Sequence, residues 1–244
     1  TLFAEPALGK DLCGGLLVEG EGQVDNRRLG RALVAACEAI GVRVHTGVTS
    51  LAIEFDARRV LGVRTNLGYV PANAVINAAG AWAARLTGVP DECVPPVRPV
   101  KGQMLSIQLP VGFMRRTTWV PGAYFVPRED GRLLVGATVE EAGDMRVTAG
   151  GIHALLDAAI SAAPALRDFT VSETWAGLRP GTPDERVCLG ATTRQGYFLA
   201  TGHYRNGILL APITARLLAG AVLEGAGAAE DFGLHRFGTK AGIA

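Results

Sequence analysis

The sequence predicts an α/β protein interrupted by an α+β insert, and three observations carry that reading. Segments of helical and of strand periodicity alternate over residues 25–86, and the same texture returns over residues 197–223. Between them, residues 97–186 read as successive antiparallel-style strands with one hairpin turn and one helix. The 32 glycines are dispersed at turns, which suits a fold with many tight corners and close backbone approaches.

The 244 residues suffice for one large or two modest domains. With 48% hydrophobic and 19% charged residues the composition is globular, and a net charge of +1 offers no electrostatic basis for nucleic acid or an anionic membrane as partner. Cys13, Cys37, Cys93 and Cys188 lie far apart with no CxxC pair, as expected of reduced thiols in a cytoplasmic protein. Residue 1 is Thr, so the chain is not expected to begin at a native translation start.

Taken in order, residues 12–25 form two short extended pieces around glycine turns. Asp25 then stands in N-cap position before a helix in which Leu29, Leu33, Ala36, Cys37 and Ile40 share a face, and Gly41 closes it. Residues 42–55 are strand-like, and residues 58–70 continue as strands with a turn near Asn66 and Gly68. A buried strand ending at Asn77 runs into small residues around Gly80 and a following helix. In the insert, strands run through "VKGQMLSIQL", "AYFVP", "RLLVG" and "FTVSETWAGLRPG", with a hairpin turn at residues 129–132. Residues 151–163 have helical periodicity, with Pro164 as the stop. The apolar strand of residues 197–201 then feeds "GHYRNGILLAP" and a helix expected to start near Leu209, so that Pro212 falls in its first turn. That apolar stretch, residues 207–223, is cut by Pro212 and Arg216 and is short for a bilayer.

Three segments carry chemistry. In "GHYRNGILLAP" a strand turns through Gly202 into a helix, which leaves amides of Gly207, Ile208 and Leu209 as donors at the positive helix end. Arg205 and Asn206 point into the same space, a site for an anionic or electron-rich group; a capped structural helix with surface polar residues is the alternative. In "TWAGLRPGTPD", Arg179 ends an apolar strand just before a rigid Pro180–Gly181 turn. That suits bidentate capture of a carboxylate, or else pairing with a structural acid such as Asp184. In "GAYFVPREDGRLLVGAT", Tyr124 and Phe125 face opposite sides of a strand, so Tyr124 either offers a hydroxyl to a substrate or is structural.

Together, "VRPVKGQML", "YFVPREDGRLLVGAT", "WAGLRPGTPD" and "GHYRNGILLAP" resemble the glycine oxidase, thiamine-biosynthesis branch of the D-amino-acid oxidase-like FAD-dependent amine oxidases. Upstream, "VDNRRLGRALVAACEAIGVRVHTGVTSL" and "AVINAAGAWAARL" are similar to that family's middle cofactor-binding stretches. The resemblance implies an FAD-dependent amine oxidase-like fold. Residues 1–96 and 187–244 would form a discontinuous FAD-binding domain, and residues 97–186 a substrate-binding antiparallel sheet domain. It also implies that Arg179 pairs with a small amino acid's carboxylate, that Arg205 sits against substrate and flavin, and that Tyr124 lines the substrate pocket. His203, Tyr204, Arg205, Asn206, Gly207, Ile208 and Leu209 would wrap the flavin ring. Val48 would lie near the adenine, and Ala79 and Gly80 near the dinucleotide. The implied reaction moves a hydride from the α-carbon to flavin N5, with reoxidation by O2 to H2O2.

The family opens with a strand, a GxGxxG turn and a helix that hold the pyrophosphate, and no GxGxxG occurs in this sequence. The expectation is therefore an N-terminally truncated chain: a fragment of a longer oxidase, one piece of a split enzyme, or an inert remnant serving as an interaction module. A chain of that kind is expected to bind FAD weakly. Its partner would be a second copy of itself or the missing N-terminal FAD-binding segment.

Overall fold

The computed structural model describes residues 3–225 and 230–238. It divides into two compact units, one of Thr1–Asp25 with Lys101–Leu178, the other of Asn26–Val100 with Arg179–Ala244. This differs from the expected division at the amino terminus, because the first 25 residues join the insert's unit. The reason is local bonding. Glu5 is buried and its Oε2 accepts from the amides of Arg115 and Arg116 at 2.8 and 2.9 Å. The Gly9 amide donates to the Ala162 carbonyl at 2.8 Å, and Gln23 both donates to the Pro127 carbonyl and accepts from Arg128.

The unit containing the insert is built on a five-stranded sheet. Its strands are β5 (Arg98–Gln108), β6 (Thr118–Val120), β7 (Ala123–Pro127), β8 (Arg132–Gly136) and β9 (Thr170–Gly181), in the order β6-β7-β8-β5-β9. The expected hairpin is β7–β8, in register at Phe125↔Val135 and Tyr124↔Gly136; β6 is a strand that the sequence pattern did not lead one to expect. Alternation then sorts the side chains: Leu105, Ile107, Phe125, Leu133 and Val135 are buried on one face. That face meets α2 (Ala149–Ala162), whose Leu155, Ala159 and Ala162 complete a single core cluster. Thr148 caps α2 through its side chain, accepting from the Gly151 amide, and Pro164 begins a 3-10 turn where the helix stops. A buried Lys101, paired with Glu140 at 3.2 Å and Asp144 at 3.4 Å, ties β5 to the chain that follows β8.

The other unit begins with α1 (Asn26–Ala39) and carries two small sheets. In the first, β1 (Ser50–Phe55), β2 (Val60–Thr65) and β3 (Gly68–Pro71) form an antiparallel meander. The second joins β4 (Val75–Asn77), β10 (Cys188–Ala191) and β11 (Tyr197–Thr201) in the order β10-β11-β4. Here β11 is central and buried on both faces, which is why it reads as an unbroken apolar run. Tyr197 and Leu199 pack with Ile53, Val60 and Cys188, while Phe198 packs with Leu189 and with Leu218 and Ala221 of α3 (Gly207–Glu224).

Five local expectations need correcting. The strand expected to end at Arg179 before a Pro180–Gly181 turn continues as β9 through Gly181, and the chain turns only at Pro183 and Asp184. Residues 42–49 form no strand, and pairing starts only at Ser50, where the β2 partner Thr65 becomes available. The helix after Gly80 is a 3-10 helix, Gly80–Arg85. α1 has the predicted apolar spacing, yet none of its residues is buried; Leu33 is 55% exposed, and Ile40, just past the helix end, is 80% exposed. Finally, α3 starts at Gly207, so Pro212 lies inside the helix and not in its first turn. The physical cause is the tight turn through residues 203–206, which brings the chain into helical register two residues early. By length and composition alone α3 could cross a membrane. It packs instead on β10 and β11 through Leu218 and Ala221.

Candidate active site

β4 and β11 are parallel neighbours, in register at Val75↔Tyr197 and Asn77↔Leu199. Their carboxyl ends therefore open on the same edge, the position where ligands bind in parallel α/β sheets. The chain leaving β4 passes Ala79 and Gly80, and the chain leaving β11 passes Gly202 into the 203–207 turn. The two exits are joined directly, because the Thr201 hydroxyl donates to the Gly80 carbonyl at 3.0 Å. Nothing lies within 4 Å of the place a Gly80 side chain would take, so the backbone there faces open space.

The shape of the 202–207 turn follows from its residues. Gly202 has φ +78, and a Cβ on it would sit 2.8 Å from Thr182 Cγ2 and 3.1 Å from the Cys188 amide nitrogen. Tyr204 also adopts left-handed backbone, φ +48, which is uncommon for an aromatic residue. It is held there by its amide, which donates to the Pro180 carbonyl at 3.1 Å. The Asn206 amide closes the turn on the His203 carbonyl at 2.8 Å. α3 then begins without any side-chain cap, and the first i→i−4 bond at its start is from the Leu210 amide to the Asn206 carbonyl at 2.9 Å. The amides of Gly207, Ile208 and Leu209 precede that bond and are directed along the helix axis toward its open end.

The polar side chains of the motif divide their tasks. Arg205 is exposed, with its guanidinium 5.2 Å from the centre of the Tyr204 ring. His203 turns toward α3, its Nε2 lying 2.9 Å from Thr214 Oγ1, and burial lowers its pKa and favours the neutral ring. Arg179, half-buried at the end of β9, is brought beside this turn by the Pro180–Tyr204 bond. The structure thus gathers Arg179, residues 203–209, Ala79 and Gly80 at one edge of one unit. Val48 belongs to a different part of that unit, just ahead of β1, where Asn66 bonds the Thr49 amide and the Gly47 carbonyl.

Tyr124 lies in the other unit, on the sheet face opposite the core. Its ring lies across Gly136, where an added Cβ would come within 2.6 Å of Tyr124 Cζ and 2.8 Å of Met104 Cε. Trp119, 74% exposed, packs on the same ring with centroids 5.0 Å apart.

Sequence reasoning missed Asn77. Buried at 2% exposure, it donates to the Ala83 carbonyl and the Tyr197 hydroxyl, both at 3.0 Å, and accepts from the Ala79 amide at 3.2 Å. It therefore shapes the Gly80 exit, and burial pushes the Tyr197 phenol up to about 12, keeping it protonated. The signal was available: a single amide residue closing an apolar strand must find buried partners.

Residues 2–221 match the family model described as FAD dependent oxidoreductase. The chain belongs to that family. It is 43% identical over 228 residues to the bifunctional protein ThiO/ThiG of Synechocystis sp., covering 91% of this chain and 34% of that protein. It is 37% identical over 219 residues to glycine oxidase of Pseudomonas putida, covering 88% of this chain and 59% of that enzyme. Among solved structures, glycine oxidase from Geobacillus kaustophilus superposes with a TM-score of 0.85 at 36% identity, covering 100% of this chain and 65% of that one. The chain thus spans between about a third and two thirds of the length of these relatives. The likeness to a glycine oxidase structure bears out the α/β fold with an antiparallel-sheet part that the sequence predicted.

Proposed function

We propose that this chain forms the carboxylate-binding and flavin-facing part of an FAD-dependent oxidase of glycine or another small amino acid, in the thiamine-biosynthesis branch of its family. The observation that carries the reading is the single edge at which Gly80, the 202–207 turn and Arg179 meet, tied by the Thr201–Gly80 and Tyr204–Pro180 bonds. The residues there fit a flavin: open backbone at Gly80, an uncapped helix start and an exposed guanidinium suit an electron-rich ring edge. Ala79, Gly80, the backbone of residues 203–209 and, for the adenine, Val48 would hold it.

When bound, FAD supplies the acceptor for a hydride from the substrate α-carbon and passes the electrons to O2, releasing H2O2. The chain's own work is binding and electrostatics. Arg179 grips the carboxylate in a two-point bond that fixes which hydrogen of the α-carbon faces the ring. The Gly207–Leu209 amides and Arg205 stabilise negative charge where it gathers beside the helix start. Neutral His203 takes no proton in this scheme; it anchors the turn to α3. The substrate is a small amino acid, and we assign the reaction to the cytoplasm, with no nucleic-acid or membrane partner.

The test is retention of flavin absorbance after desalting the chain with FAD, together with peroxide release from glycine, sarcosine and D-alanine. Only partial flavin retention is expected, with Arg179-dependent oxidation of one of them once FAD is supplied in excess. Failure to bind both FAD and a small carboxylate such as glycolate would sink the reading.

A further inference from the structure

The segment from Thr182 to Arg186 does two things. It follows the Arg179–Gly181 end of β9 directly, and it forms the wall against which Gly202 packs, with Thr182 Cγ2, the Arg186 carbonyl and the Cys188 amide around that glycine. Within the segment Thr182 Oγ1 donates to the Arg186 carbonyl at 2.8 Å, and Glu185 sits in left-handed backbone at φ +56. A tight turn with a non-glycine residue in that conformation needs an external hold.

That hold comes from residue 236, 57 positions beyond Arg179 in the sequence. Arg236 Nε and Nη2 donate to the two oxygens of Asp184 at 2.8 and 3.2 Å. Nη2 also donates to the Arg186 carbonyl at 3.0 Å, and Nη1 donates to the carbonyls of Phe232 and Gly233 at 2.7 and 3.0 Å. A guanidinium has five N–H donors, and these bonds use one for each. The side chain is 12% exposed, and its planar head lies 4.1 Å from the centre of the Phe237 ring.

We infer that Arg236 is a positioning residue for Arg179: by pinning residues 182–186 to the 230–237 segment it fixes the Arg179–Gly181 end of β9 and, through Pro180–Tyr204 and Thr182–Gly202, the register between the carboxylate clamp and the helix-start turn. This rests on Arg179 being the carboxylate clamp. Lysine cannot replace Arg236, since a single ammonium cannot reach both Asp184 oxygens and three carbonyls in one plane.

The experiment uses the full chain and two readouts, glycolate affinity by calorimetry and amide hydrogen exchange at Tyr204, Glu185 and Arg186. Arg236→Lys and Asp184→Asn are expected to weaken glycolate binding roughly ten- to hundredfold and to speed exchange at Tyr204, while the far-UV spectrum is retained. Methylguanidinium at millimolar concentration should restore affinity to Arg236→Ala, an outcome that a loss of general stability would not give. Arg179→Ala is measured alongside. If the wild-type chain ignores glycolate, or Arg179→Ala leaves its affinity intact, the clamp reading fails and exchange alone decides the positioning. Unchanged exchange at Tyr204 in Arg236→Lys, or glycolate affinity within about twofold of wild type, overturns the inference.

Discussion

The two units stabilise themselves differently. In the unit containing the insert, one sheet face and one helix close a continuous core in which Leu105, Phe125, Leu133, Val135 and Ala159 are all fully buried. The unit carrying the site has two smaller clusters, one on each face of β11. It leaves Leu33 of α1, Ile40 just after it, and Leu209 and Leu223 of α3 between 55% and 82% exposed. Its order at the site comes from hydrogen bonds between segments distant in sequence: Thr201 to Gly80, Tyr204 to Pro180, Arg236 to Asp184. The contrast separates two jobs, since packing gives stability and directional bonds give placement.

Variants on the two sides should therefore fail in different ways. The largest effect is expected in the packed core. Phe125→Ala should cost about 3–5 kcal/mol in urea unfolding, and a cost near zero would remove the basis of the contrast. At the site, Arg179→Ala should weaken glycolate binding by about 1.5–3 kcal/mol, measured by calorimetry, with an unchanged unfolding midpoint.

A smaller effect is expected from pH. Arg236 is the main cause that holds the Asp184 carboxyl down at about 2, with a further contribution from the Arg186 amide. The folded value lies below the ordinary one of roughly 3.9, so this stabilisation is present above that pH and is lost as pH falls toward 2. Asp144 is also held at about 2, mainly by Arg146, and loses its own contribution over the same range. The wild-type chain should thus lose urea resistance between about pH 4 and 2 more steeply than Asp184→Asn, and equal slopes would count against the pair. The smallest effect belongs to α1, where Leu33→Ser should change stability by no more than about 0.5 kcal/mol, because that side chain is more than half exposed.

Much of this was legible in the chain itself. Strand alternation around Tyr124 and Phe125 assigns them to opposite faces, because period two leaves no choice once one face is buried. The unbroken apolar run of residues 197–201 announced a strand covered on both sides. Local motifs also put Arg179 near the end of an apolar strand, though that strand runs on through Gly181 where a turn was expected, and left polar residues at a helix start.

Other features depended on which segments meet. That Thr1–Asp25 joins the insert's unit rests on Glu5 finding the amides of residues 115 and 116, a pairing with no local signature. The start of α3 shifted because the turn at residues 203–206 closed on itself, overriding the preference of proline for a first turn. The roles of Asn77, Thr201 and Arg236 are likewise tertiary. Each makes its defining bonds to residues distant in sequence, and sequence spacing carries no information about a partner more than a hundred residues away, as Asn77 is from Tyr197. Composition, periodicity and motif chemistry determined the layers, the faces and the reactive residue types. Only the folded chain decided which backbone groups those residues hold, because a hydrogen bond is specified by position and direction in space.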